Sequence, residues 1–141
     1  MQQYIAFAQE NWVLITLWFT ALAVLVMSEN RKSGQSVTTS EATRLMNHDD
    51  ALVLDIREQK EYAEGHIPGA FNLPMSALEK RVSEIDKYKE KPVVVVCRMG
   101  STAGAVGKTL KKSGFSNVVR MAGGMMEWNS AGLPTKKGKS A

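Results

Sequence analysis

A single cysteine is available for nucleophilic chemistry in this chain, and its neighbours suit the part: Pro92-Val-Val-Val-Val-Cys97 reads as a strand, and Arg98-Met-Gly-Ser-Thr102 follows before a helical pattern begins. A loop that runs from a strand into a helix N-terminus turns unpaired backbone N–H groups toward one point, and the helix dipole adds positive potential there. A thiolate or other anion seated in that cradle is stabilised. Gly100 permits a tight turn, Ser101 and Thr102 can offer hydroxyls to a bound anion or cap the helix, and Arg98 can steer or clamp an anionic substrate. On spacing alone, a reactive Cys97 and an inert, buried Cys97 are evenly matched. The lone cysteine excludes an internal disulfide framework and a Cys-rich zinc module.

The elements that must position this loop alternate short β-branched runs with helical patterns, the signature of βαβ units and a mostly parallel sheet. The clearest strands are Ala51–Asp55, Pro92–Cys97 and Asn117–Met121. Val93–Val96 is apolar on both faces and belongs at the centre, with Cys97 at its carboxyl end, where open α/β sheets bind ligands. Helical patterns cover Thr39–Asn47, Gln59–Ala63, Ser76–Ile85 and Thr102–Ser113, the last closed by Gly114.

Three segments, in order, carry a family resemblance. Val53-Leu-Asp-Ile-Arg57 with Glu61-Tyr-Ala-Glu-Gly-His-Ile-Pro-Gly-Ala-Phe-Asn-Leu-Pro74 resembles the front motif of rhodanese-like sulfurtransferases. Gly123-Gly-Met-Met-Glu-Trp-Asn-Ser-Ala-Gly-Leu-Pro134 resembles their closing motif, and the Cys97 loop lies between the two. The resemblance covers about residues 36–136. It implies an α/β rhodanese-like domain, a mostly parallel five-stranded sheet flanked by helices, in which the loop cysteine accepts a sulfane sulfur as a persulfide and passes it to a thiophilic acceptor.

Carried onto this sequence, the resemblance makes Cys97 the catalytic residue and Arg98, Met99, Gly100, Ser101 and Thr102 the substrate-binding loop. Asp55 and Arg57 become an ion pair supporting that loop. No metal and no organic cofactor is implied. The partners implied are a small sulfur-donor anion or persulfide and a thiol or cyanide-like acceptor. The loop reads Cys-x-x-Gly-x-Thr where many single-domain members have Cys-x-x-Gly-x-Arg. With Arg98 it is similar to the thiosulfate sulfurtransferase loop, although Met99 stands where those enzymes carry a basic residue. His66, in the Gly-His-Ile-Pro-Gly turn, matches a structural position; Trp128, at helical spacing from Met125, reads as core, and His48 as a polar helix end.

The leader is of another kind. Asn11 to Ser28 are 18 residues without a formal charge, and Trp12–Met27 contains neither Gly nor Pro. At 1.5 Å per residue this covers about 27 Å, close to the roughly 30 Å of a bilayer core, so one N-terminal transmembrane helix is expected. A cleaved signal peptide would want a basic n-region and a small-residue cleavage site after the apolar run, and a core helix would want a polar face. All 18 Lys and Arg lie from Arg31 onward, with 12 of the 14 acids, so the body carries +6. With Arg31-Lys32 directly after the span, the positive-inside rule places the N-terminus out and the body in the cytoplasm, at the inner (plasma) membrane. The expected organisation is a transmembrane helix over 1–30, a tether over 31–35 within the apolar-poor stretch Glu29–Ser40, the rhodanese-like domain over 36–137 and a basic tail over 138–141.

Three other functions compete. Phosphatases of related architecture use Cys-x5-Arg loops, and Ala103 stands where that arginine would be, in a loop one residue short. A nucleic-acid surface is disfavoured, because Lys87, Lys89, Lys91, Lys108, Lys111 and Lys112 lie on solvated helix faces without interleaved aromatics; the basic body and tail instead suit an anionic bilayer surface. A non-catalytic reading remains: a membrane-tethered binding or persulfide-carrier module whose helix engages other membrane proteins.

Overall fold

The computed structural model describes residues 1–32 and 34–139 and divides into two compact units, Met1–Lys32 and Ser33–Ala141. The first unit is two helices, α1 (Gln2–Glu10) and α2 (Trp12–Lys32). One uninterrupted helix through the leader was expected; the helices instead break at Asn11 with a 76° bend between Gln2–Glu10 and Trp12–Ser28. Asn11 ends α1 because both its backbone N–H and its side-chain Nδ2 donate to the Phe7 carbonyl, at 3.1 and 2.9 Å. An Asn side chain that bonds locally in this way competes with helix continuation. Among the described residues no single helix is long and apolar enough to cross a membrane; only the bent pair taken together has the length and composition of a span. Within residues 1–28 no side chain is buried, and Leu14, Leu17, Trp18, Phe19 and Leu25 are all exposed.

The second unit is a five-stranded sheet in the order β1-β5-β4-β2-β3, every pairing parallel: β1 (Gln35–Val37), β2 (Leu52–Asp55), β3 (Phe71–Asn72), β4 (Val93–Val96) and β5 (Val118–Met121). The run Val93–Val96 is the central strand, as its two-faced apolarity demands, and all four valines are fully buried. Leu54 pairs with Val95 and Asp55 with Val96, so β2 and β4 end side by side. Alternation along the strands divides the core. Leu52, Leu54, Val93, Val95 and Val118 face α6 (Ala103–Lys112), through Val106 and Leu110, together with Leu78 and Ile85. Val53, Val94, Val96, Val119 and Met121 face Ala42 of α3 (Thr39–His48), Tyr62 of α4 (Gln59–Glu64), and Met125 and Trp128 of α7 (Gly124–Ser130).

Three local expectations are corrected. The stretch Glu29–Ser40 is not a structureless tether: α2 runs to Lys32, β1 forms at Gln35–Val37 and α3 begins at Thr39, while Ser33 of the expected 31–35 tether lies outside the described residues. Gln-Ser-Val is a poor strand pattern; it forms because β5 supplies a parallel partner and Val37 reaches the core. The segment read as a helix over Ser76–Ile85 is a short α-helix, α5 (Leu78–Arg81), between 3₁₀ turns at Met75–Ala77 and Val82–Tyr88. Val82 and Ser83, both weak helix formers, stand where the α turn ends. Finally, contacts with the fold run one residue past the expected boundary at 137: Lys136 and His66 exchange backbone hydrogen bonds at 2.8 and 2.9 Å, and the N–H of Gly138, the first residue of the expected tail, donates to the Ala63 carbonyl. Ser140 and Ala141 lie outside the described residues.

Helix α3 opens with a capping box. The Thr38 hydroxyl accepts from the Glu41 N–H, and the Glu41 carboxylate accepts from the Thr38 N–H and hydroxyl. These bonds, the backbone one foremost, hold the Glu41 carboxyl below its ordinary value of 4.5. A lowered folded value means stabilisation that is present above the unfolded pKa and lost as pH falls through the folded one. Thr38→Ala should therefore destabilise the second unit by about 1 kcal/mol at pH 7, with the difference narrowing as pH falls below the ordinary value of 4.5 and Glu41 protonates. Urea melts of wild type and variant across pH 3–7 measure both.

Candidate active site

Cys97 leaves the carboxyl end of β4 and is 3% exposed, at the floor of a cleft of about 270 Å³. Ile56, Arg57, Glu58, Glu61, Met75, Arg98, Met99, Ser101 and Thr102 complete the lining. The loop curls back on its own sulfur, so that the Gly100 N–H donates to Cys97 Sγ at 2.7 Å. That turn needs φ of +91° at Gly100, and a Cβ there would press on the Gly123 nitrogen at 3.2 Å.

A second element locks the loop from behind. The first amides of α7 donate to loop carbonyls, Met125 N–H to Cys97 O at 2.9 Å and Met126 N–H to Arg98 O at 3.0 Å. These are helix-terminal N–H groups that have no partner inside their own helix. The approach is so close that a Cβ on Gly124 would lie 2.3 Å from the Cys97 carbonyl oxygen.

A buried ion pair stands at the neighbouring strand end. Asp55, fully buried, accepts from Arg57 Nη2 at 2.6 Å and from the Arg57 backbone N–H at 3.1 Å, and the same guanidinium donates to the Gly65 carbonyl at 2.8 Å. Asn72 Nδ2 bonds the carbonyls of both Asp55 and Arg57. The expected ion pair thus forms between a buried strand end and the cleft wall, its charges compensated inside the protein.

These features together decide the family. A rhodanese-like domain profile matches residues 38–131. The chain belongs to the rhodanese family. Among its relatives is the Escherichia coli (strain K12) protein named "Uncharacterized protein YibN", 36% identical over 144 residues, 99% of this chain and 100% of that one. The "Thiosulfate sulfurtransferase GlpE" of Coxiella burnetii is 33% identical over 96 residues, 68% of this chain and 88% of the relative. A crystal structure of a rhodanese-related protein from Thermoplasma volcanium superposes with a TM-score of 0.62 at 28% identity, covering 72% of this chain and 97% of that one.

Within this rhodanese domain the cleft gathers Arg57, Cys97, Arg98, Met99, Ser101 and Thr102, with Gly100 on the sulfur and Asp55 behind Arg57. One expectation about the loop changes. Thr102 stands at the N-cap of α6, yet its hydroxyl caps nothing: its backbone is helical (φ −89°, ψ −15°), whereas a capping side chain works from the extended region. Arg98 has a protein partner that the sequence did not show. It is 71% exposed and paired with Glu61 of α4, with Nε at 2.8 Å and Nη2 also in contact. His66 is buried, with Nδ1 2.8 Å from the Tyr62 carbonyl and its ring stacked on Tyr62 at 3.7 Å between centroids, and Trp128 is buried with Nε1 donating to the Pro134 carbonyl. Among the described residues no three His, Cys, Asp or Glu side chains gather as a metal site.

The contributions of Glu58, Glu61, Met75, Asn72 and the α7 amides were not identified from sequence. A paired glycine before a helical run, Gly123-Gly124, is the signal that could have revealed the last of these. The close approach at Gly124 has a measurable consequence. Gly124→Ala must open the contact with Cys97 and adopt φ of +55°, so a loss of about 2–4 kcal/mol is expected, read as a lower urea midpoint with unchanged slope.

Proposed function

We propose that this chain is a membrane-anchored sulfurtransferase that carries sulfane sulfur on Cys97 as a persulfide. The observation that carries the reading is the Cys97 sulfur, recessed at the cleft floor with the Gly100 N–H 2.7 Å away in a loop that ends on the N-terminus of α6. The Cys97 thiolate attacks the outer sulfur of the donor; the donor's sulfur–sulfur or sulfur–sulfite bond breaks, and the leaving group departs as thiolate or sulfite. With thiosulfate the products are enzyme persulfide anion and sulfite, and the total charge is conserved. An acceptor thiolate or cyanide then attacks the outer sulfur and returns Cys97 as thiolate, so no external oxidant or reductant enters. The loop N–H groups and the α6 dipole favour the anion at each stage. Asp55 and Arg57 are positioning residues: they hold the cleft wall against the loop. The Coxiella relative's name supports thiosulfate as one donor.

The leader completes the proposal. Its bent pair of exposed, apolar helices sits in the inner membrane with the N-terminus out, and the rhodanese domain works in the cytoplasm, where a reducing milieu keeps Cys97 as a thiol. Protease added to intact spheroplasts should leave the body whole, and protease added to inverted vesicles should digest it; the reverse pattern overturns the orientation.

The chemistry is tested on the full chain in mild detergent, beside Cys97→Ser. Thiocyanate release from thiosulfate and cyanide, and an intact-mass gain of about 32 Da for one sulfur, should appear for the wild type and vanish for the variant. Neither turnover nor adduct with any of several persulfide donors would overturn sulfur transfer and leave the tethered binding module as the function.

A further inference from the structure

Leaving the leader aside, the second unit exposes few large apolar side chains. Among its described residues they are Met75 (48%), Met99 (55%) and Met126 (58%), all methionines. Their positions in sequence are scattered, yet the fold brings all three to the Cys97 loop. Met75 and Met99 line the cleft itself. Met126 is the α7 residue whose amide bonds the Arg98 carbonyl, beside the loop. Single exposed hydrophobics are ordinary on a protein surface, but two at the mouth of one cleft with a third on the helix bonded to its loop mark an interaction site. Methionine is the side chain that adapts to differing apolar partners, because it is unbranched, flexible and polarisable.

The charges around the cleft point the same way. Its two guanidinium groups are already matched: Arg57 by Asp55, and Arg98 by Glu61. Glu58 adds a further carboxylate, held by the Ser76 hydroxyl at 3.3 Å. The loop amides can hold one sulfur anion at the floor, but the side chains of the mouth present no excess of positive charge to a small dianion. An uncharged, apolar surface around the reacting sulfur complements this mouth better than a highly charged small donor does.

We infer that Met75, Met99 and Met126 form a docking collar for a partner protein that presents a cysteine persulfide among apolar and uncharged side chains. The inference rests on the sulfur-transfer reading and names the partner class. In the transfer step the Cys97 thiolate attacks the outer sulfur of the partner's Cys–S–SH group. The partner's S–S bond breaks, its cysteine leaves as thiolate, and Cys97 carries S–SH; the collar orients the partner and takes no part in bond making.

The test uses two synthetic peptide persulfides of equal length, one with leucines and one with serines flanking the cysteine, reacted with the full chain in mild detergent. Formation of the Cys97 persulfide is followed by intact mass. Wild type should react about tenfold faster with the leucine peptide, the discrimination expected for partial burial of a leucine side chain. In the Met75→Gln, Met126→Gln double variant, nearly isosteric at exposed positions, that preference should fall to about twofold or less. Equal rates in the wild type, or a preference unchanged in the double variant, would overturn the collar while leaving sulfur transfer intact. A wild-type dimer that the double variant dissociates in sedimentation would assign the collar to a second copy and also overturn the proposal. Absence of any Cys97 persulfide, from peptides and thiosulfate alike, would instead defeat the underlying sulfur-transfer reading.

Discussion

Two amide–carbonyl hydrogen bonds, from Met125 to Cys97 and from Met126 to Arg98, are the contact on which the rest of the site depends. The loop after β4 must turn its N–H groups inward toward the cysteine sulfur, which obliges carbonyls to point the other way. Buried carbonyls need donors. Those donors are the orphan amides of the α7 N-terminus, the one part of a helix with N–H groups to spare. Any side chain at residue 124 would hold the helix off, because a Cβ there would fall 2.3 Å from the Cys97 carbonyl. The closing motif is therefore a mechanical part of the active-site loop, although it lies some thirty residues downstream.

The same economy governs the strand end beside it. Asp55 terminates β2 in register with Val96, one residue before the cysteine. A carboxylate buried there is costly unless it is fully paired, and Arg57 pairs it from two residues away while also reaching the Gly65 carbonyl across the front-motif turn. Asn72 at the end of β3 ties the two carbonyls of this corner together. The ends of β2 and β3 are thus cross-braced at the edge of the cleft. The central valines supply the apolar burial, and the polar bonds of Asp55, Arg57 and Asn72 fix the corner of the cleft wall beside the loop.

How much of this was legible depended on whether a feature is local. The central strand, α6 and the position of Cys97 follow from Val93–Val96, the helical run after Thr102 and Gly114, all short-range signals. The strands β1 and β3 were invisible to pattern: Gln35-Ser-Val37 and Phe71-Asn72 are too short to show a period, and each exists because a neighbour's edge offers a parallel partner. The break at Asn11 coincides with the polar triplet Gln9-Glu10-Asn11 ahead of the apolar run, but the bend itself comes from the bond of the Asn11 side chain to Phe7 O, a local backbone competition that hydropathy does not register. The pairing of Arg98 with Glu61 was not legible because Glu61 lies 37 residues upstream on α4, and only the fold brings the two together.

That pairing changes what the cleft can select for. A basic side chain beside a nucleophile adds affinity for any anion, and so discriminates little among sulfur donors. Once Glu61 balances Arg98 and Asp55 balances Arg57, the remaining attraction for an anion is the backbone cradle, which acts on the transferred sulfur itself and on whatever anion develops next to it. Affinity for the rest of the donor must then come from the shape and polarity of the mouth. Recognition and chemistry are in this way assigned to different atoms: amide N–H groups at the floor, which are the same for every donor, and exposed side chains at the rim, which are free to vary without disturbing the loop. On the sulfur-transfer reading proposed above, binding energy spent on the rim lowers the barrier only when it places the donor's outer sulfur on the Cys97 trajectory, and specificity then rests on positioning more than on charge.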